Sequence, residues 1–204
     1  MLGWWRKRSG PNTARRWVVV DVETSGLDAS TDELVSIGGV AMVGGRVVPA
    51  DSIEIVVKRQ TPSSRDNIVV HGIGAHAQLT GTDRGDALRS FMDFVGQAPL
   101  LAFHAPFDRG FLARAIKVYV NQPFDNRWLD LADLAPVLDS SARLNSLDEW
   151  LQRYRIPVIV RHSAAADAFA TALLAARLLP AAKLQGASDF VSLQRLARYA
   201  RWLH

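Results

Sequence analysis

The stretch Trp17-Val18-Val19-Val20-Asp21-Val22-Glu23-Thr24-Ser25-Gly26-Leu27-Asp28 decides the fold. Its first half is apolar and β-branched, the composition of a buried strand, and it breaks off in two carboxylates at i and i+2. Side chains alternate along a strand, so Asp21 and Glu23 share a face. Two acids at the end of an otherwise apolar strand are costly to bury unless something positive joins them. Taken alone, such a pair reads as a solvated strand end. Thr24, Ser25, Gly26, Leu27 and Asp28 follow, a stretch with small residues and a Gly that lets backbone N–H groups and hydroxyls approach a substrate closely.

Working outward, Glu33 to Val43 and Arg46 to Lys58 read as two further strands with Gly44-Gly45 as the tight turn between them. Residues 60 to 67 read as a loop. Leu88, Phe91, Met92 and Val95 are spaced for a helix over Asp83 to Gly96. Pro99 to Phe103 reads as a short buried strand, followed by a helix through about Tyr119, a strand near Trp128 to Leu131 and a helix near Leu144 to Arg155. A long Ala-rich helix runs from about Ala164 to Leu179. Three antiparallel strands followed by alternating helices and strands predict an α/β fold, a mixed central sheet with helices packed on it. Phe190, Leu193, Leu196, Ala197 and Ala200 mark a separate amphipathic helix over 187–204, and 1–16, with Trp4 and Trp5 among basic residues, reads as an arm preceding a domain over 17–182.

Further acids fall where this sheet would gather them. Asp108 follows the strand in Phe103-His104-Ala105-Pro106-Phe107-Asp108, and strand ends with adjoining helix starts converge on one edge of an open sheet, where such folds bind ligands. His162-Ser163-Ala164-Ala165-Ala166-Asp167 opens the Ala-rich helix. Five helical steps rotate by about 140°, so His162 and Asp167 do not share a helix face. The economical arrangement puts Asp167 inside the helix and His162 on the preceding loop, with Ser163 at the N-cap.

Composition narrows the chemistry. The 204 residues carry 24 Lys+Arg, 20 Asp+Glu and no Cys, so disulfides, thiolate zinc and cysteine nucleophiles are excluded, and nothing argues for an oxidising compartment; the reading is cytoplasmic. The first ten residues lack the run of about 7 apolar residues of a secretory signal. Asp167, Arg177 and Pro180 interrupt the most apolar segment, so no membrane partner is expected. The net charge of +4 divides unevenly: residues 1–16 carry +5, 177–204 carry +4 and 17–176 carry −5. The basic ends suit phosphates, whereas the core is acidic.

Asp21, Glu23, Asp108 and Asp167, with His162 five residues before the last acid, resemble the DEDDh subgroup of the DnaQ-like 3′-to-5′ exonucleases, relatives of the DNA polymerase III epsilon proofreading subunit. Val70-His71-Gly72-Ile73 and Leu147-Asp148-Glu149-Trp150-Leu151 with Ile156-Pro157 also resemble that family's connecting segments. The resemblance implies a ribonuclease H-like fold. It also implies two Mg²⁺ or Mn²⁺ ions, with Asp21, Glu23 and Asp167 on one, Asp21 bridging and Asp108 helping to hold the second. Carboxylates suit such hard cations, and pairs of ions about 3.5 to 4 Å apart serve phosphodiester cleavage.

By the same resemblance His162 is the general base, and the backbone at Val22, Thr24, Ser25 and Gly26 positions the 3′ end of a nucleic acid, with Leu27 wedged against the terminal base. Phe103, His104 and Phe107 are candidates for substrate contact, though Phe107 also suits a core position. The family usually carries His-Asn where this chain has Phe103-His104. The expected substrate is a DNA 3′ end, single-stranded, with RNA trimming as the alternative. The helix over 187–204 is expected to pack on its own domain, with a polymerase or a second copy as the alternative partner for it.

Two other readings compete. Gly72-Ile73-Gly74-Ala75-His76-Ala77 fits a dinucleotide-binding G-x-G-x-x-A, although no strong helix follows directly and the acid about 20 residues on, Asp93, falls inside an amphipathic helix. A non-catalytic nucleic-acid or polymerase-binding module of the same fold is the other, since fold alone does not establish activity.

Overall fold

The computed structural model describes residues 16–142, 144–158 and 161–200. Strands β1 (Arg16–Thr24), β2 (Leu34–Val43) and β3 (Arg46–Val56) form an antiparallel meander closed by Gly44 and Gly45, both at positive φ. Helices α1 (Arg65–His71), α2 (Ala75–Thr80) and α3 (Arg84–Val95) lead to β4 (Leu100–Ala102). Then come α4 (Ala105–Tyr119), β5 (Trp128–Asp130), α5 (Leu131–Leu138), α6 (Leu147–Arg153), α7 (Ala164–Leu184) and α8 (Phe190–Ala200). The sheet order is β3-β2-β1-β4-β5, with β4 parallel to β1 and β5 parallel to β4.

The strand that carries the acid pair is therefore central, and its alternation divides the core. Val18, Val20 and Val22 face one layer with Leu88 and Phe91 of α3 and Phe111, Leu112 and Ile116 of α4. Val19 faces the other with Leu134 of α5, Trp150 of α6, Leu174 and Leu178 of α7 and Leu193 of α8. The odd-numbered face also carries Asp21 and Glu23, so the α7 side is where they must find partners. By length and composition α7 could cross a bilayer; its apolarity is accounted for by residues such as Ala168, Leu174 and Ala175 packed in this core.

Several boundaries and elements differ from expectation. Of the basic arm, Arg16 alone lies within the described residues, and it is the first residue of β1: it pairs with Val43, bonds Asp51 at 3.0 Å and lies over the Phe94 ring. The expected loop over 60–67 holds for 60–64, while 65–67 open α1, whose start is fixed by Ser64 accepting from the Asn67 amide. The Gly72–Ala77 segment follows this helix, not a strand: Gly72 is its left-handed C-cap and Gly74 precedes the six-residue α2. A dinucleotide site needs a strand-to-helix turn there, so that reading fails. α5 was not foreseen, because it follows β5 without a break and contains Pro136. α7 runs on through Pro180 to Leu184, and α8 begins at Phe190. Residues 201–204 of the expected terminal helix lie outside the described residues, while Phe190, Leu193 and Ala197 are buried against the chain's own core.

Candidate active site

Asp21 and Glu23 project from the end of β1 toward the first turn of α7, where Asp167 is buried. Carboxylate oxygens of Asp21, Glu23 and Asp167 all lie within 4.8 Å of one another. What permits this approach is Gly38 on β2, directly opposite Asp21 in the β1–β2 register. A Cβ on Gly38 would overlap the Ala164 carbonyl group and the Ala165 nitrogen, so the bare glycine backbone is the seat of the helix start. The sequence shows Gly38-Gly39 only as two glycines in an apolar strand; their partner is invisible until the fold is known.

Asp108, in the first turn of α4, is buried beside this group. Its Oδ1 accepts the Val22 amide at 3.0 Å, which ties α4 to the end of β1. The Val22 side chain is in the opposite core layer. Burial pushes the Asp108 carboxyl well above the usual range, offset by hydrogen bonds from its own amide and that of Val22. Burial is also the main cause at Asp21, raised further by Asp108, Asp167 and Glu23. Glu23 is pushed up to about 7, by burial first and then by Asp167, against the opposing pull of Arg161. Such a set favours a cation.

One cation is already there. Arg161 bonds Asp167 Oδ1 through Nη1, and its Nε bonds Asp148 Oδ1 on α6 at 2.6 Å. The other Asp167 oxygen, Oδ2, accepts the His162 amide at 3.1 Å. His162 itself is exposed, on the loop before α7, with φ of 60°, a left-handed conformation that costs on the order of 1 kcal/mol for a non-glycine residue. Ser163 stands at the N-cap position, but its hydroxyl donates to Glu54 Oε1 at 3.0 Å instead of capping. Arg161 and Asp148 were missed as site residues; the adjacency of Arg161 to His162 was the available signal.

The loop after β1 is internally braced. Thr24 is buried and donates to the Gly26 carbonyl at 2.6 Å. Ser25 donates to Asp32 Oδ1 and accepts the Glu33 amide, and a Cβ on Gly26 would overlap the Asp32 carboxylate. The hydroxyls of Thr24 and Ser25 are thus spent inside the loop, leaving Leu27, 86% exposed, as its outward side chain. From outside, Arg114 on α4 donates to the carbonyls of Ala29 at 2.8 Å and Asp32 at 2.7 Å. Arg59 and Arg84 hold Glu33 at its end.

Phe103 is buried in the core and Phe107 packs on Phe111, ring centroids 4.9 Å apart. His104 is exposed at the N-cap of α4 with φ of 64°. Its amide donates to Asp130 Oδ1 and its Nε2 lies 3.2 Å from the Asn145 carbonyl. His, like Asn, enters this left-handed region more readily than most residues, which explains how it fits the slot.

A family profile described as Exonuclease, of the RNase T type, matches residues 18–175. The chain belongs to that family. It is 37% identical over 177 residues to a "DNA polymerase III subunit epsilon-like protein" of Rhodobacter capsulatus, covering 85% of this chain and 25% of that protein. The chain thus spans a quarter of that relative's length. Its fold is similar to that of exonuclease X in complex with 5′ overhanging duplex DNA, with a TM-score of 0.68, 20% identity and coverage of 89% of this chain and 99% of that one. It is also similar to Escherichia coli exonuclease I in complex with a dT13 oligonucleotide, with a TM-score of 0.73, 16% identity and coverage of 84% and 42%. The chain has the mixed five-stranded sheet with packed helices of these neighbours. Membership implies divalent metal ions, and the carboxylate cluster fits them: three oxygens from separate acids converge, and a guanidinium already occupies one of those acids.

Proposed function

We propose that this exonuclease removes nucleoside 5′-monophosphates stepwise from the 3′ ends of DNA, acting on single-stranded or frayed ends. The observation that carries the reading is the convergence of Asp21, Glu23 and Asp167 within 4.8 Å beside buried Asp108. The DNA complexes of exonucleases X and I supply the substrate class by similarity.

Asp21, Glu23 and Asp167 would hold one Mg²⁺ or Mn²⁺, and Asp108, together with Asp21, would hold a second. When bound, the pair would acidify an attacking water and stabilise the departing 3′ oxygen. His162 accepts the proton of the attacking water, a role worth about 10²- to 10⁴-fold in rate; its exposed loop position lets its ring reach a substrate laid across the site. Leu27, on a loop braced by Arg114, packs on the terminal base. A polymerase is the partner suggested by the epsilon-like relative.

The test is one experiment with matched single-stranded DNA, mismatched duplex DNA and RNA, labelled at either end, with Mg²⁺ or Mn²⁺ and Asp21→Ala as control. Metal-dependent release of 5′-monophosphates from DNA 3′ ends, faster than from RNA, is expected. Faster trimming of RNA transfers the reading to an exoribonuclease. No metal-dependent product from any substrate overturns it.

A further inference from the structure

Both oxygens of Asp167 are engaged: Oδ2 by the His162 amide, Oδ1 by Arg161. The first contact is local to the helix start. The second comes from a long side chain whose Nε is anchored separately on Asp148 of α6, so the guanidinium spans two acids from different elements. Among the described residues, Arg161 is the one cation in salt-bridge contact with the Asp21, Glu23 and Asp167 cluster. It also lowers the cost of charge on Asp21 and Glu23, which it does not touch. It therefore does electrostatically what a metal ion in the cluster would do.

We infer that Arg161 is a resident counter-cation that must leave Asp167 before a metal ion is held there. The inference rests on the metal-dependent reading above. Nη1 of Arg161 and a metal ion compete for Asp167 Oδ1, so the two occupancies exclude each other. Asp148 retains the guanidinium through Nε when Nη1 is displaced, which keeps the exchange a short swing of one side chain and not a rearrangement of the loop. A metal that binds only the displaced state has its apparent affinity reduced by the fraction of molecules in that state. Arg161 thereby sets the metal concentration at which the site loads and keeps the carboxylate cluster compensated below it. A planar, five-donor guanidinium suits this double attachment; a lysine ammonium is a point charge and does not reproduce it.

Calorimetric titration of Mn²⁺ into the chelator-treated full chain, with thermal melting of the same samples, tests the exchange without any nuclease assay. Arg161→Gln is expected to tighten the Mn²⁺ dissociation constant about tenfold, about 1.4 kcal/mol, to melt lower than wild type in chelator and to gain more from Mn²⁺. Arg161→Lys is expected to fall between the two, and it carries the comparison should Arg161→Gln not fold. A dissociation constant that is unchanged or looser in the variants overturns the exchange. Absence of Mn²⁺ binding by the wild-type chain, matched by Asp167→Asn, overturns the metal reading itself.

Discussion

The backbone of Ala164 occupies the place that a side chain on Gly38 would need. This contact, opposite Asp21 in the sheet register, sets how near Asp167 comes to the strand acids. Because the obstacle is backbone, no rotamer change relieves it. Gly38→Ala is expected to cost about 1 to 3 kcal/mol by overpacking, read from the denaturation midpoint. Nuclease activity should fall by far more than the unfolded fraction explains, since α7 must lift from the site. A stable variant of wild-type activity would show that this close approach does not position Asp167.

Among the described residues, His162 is linked to the acid cluster through its backbone amide, which donates to Asp167 Oδ2. His162→Gln should therefore leave Mn²⁺ affinity and melting temperature close to wild type while kcat falls by about 10²- to 10⁴-fold. Loss of metal binding in this variant would place the ring among the ligands instead.

The metal-free protein should lose stability as pH rises. Glu23 is pushed from its ordinary 4.5 up to about 7, so the native state binds this proton more tightly than the unfolded chain. The stabilisation is complete below the unfolded value and is lost as pH climbs through the folded one. In chelator, the melting temperature of wild type relative to Glu23→Gln is expected to fall between about pH 4.5 and 7, and saturating Mn²⁺ should remove or reverse that slope. Identical slopes with and without Mn²⁺ would separate Glu23 from the metal.

Arg114 acts on the loop, not on the chemistry. It bonds two loop carbonyls, of Ala29 and Asp32, from an exposed position, so Arg114→Ala should change stability by no more than about 0.5 kcal/mol. The expected effect is a several-fold rise in KM for DNA with kcat retained, because a looser loop presents Leu27 less well. A fall in kcat alone would assign Arg114 another role.

In the sequence, β1 was legible because an apolar β-branched run suits a buried strand; its acid pair, which alone reads as a solvated strand end, gained meaning only from Asp108, His162 and Asp167 following in order. α7 was legible because its alanines persist for several turns. His162 on the loop and Asp167 in the helix followed from helical rotation alone. α1 and α2 escaped notice because they are 7 and 6 residues long, too short for periodicity, and α1 is fixed by the Ser64 cap and by His71 buried against Ser63. α5 starts on Asp130, which caps it by accepting from Ala132, so strand and helix share a boundary that composition does not mark. Arg161 read as one more basic residue. Its importance depends on Asp148, thirteen positions away along the chain, and Gly38 depends on Ala164 in the same way. Such pairings exist only in three dimensions.

The central place of β1 gives the site two different tempos. Amides from Val18 to Val22, in a strand flanked by β2 and β4 and roofed by both core layers, belong to the part of the protein that exchanges with solvent only when most of the structure opens. His162 lies on an exposed loop at a helix edge, where opening is local and frequent. Hydrogen exchange should therefore separate slowly exchanging β1 amides, on the strand that carries Asp21 and Glu23, from faster exchange on the exposed loop of His162, the proposed base.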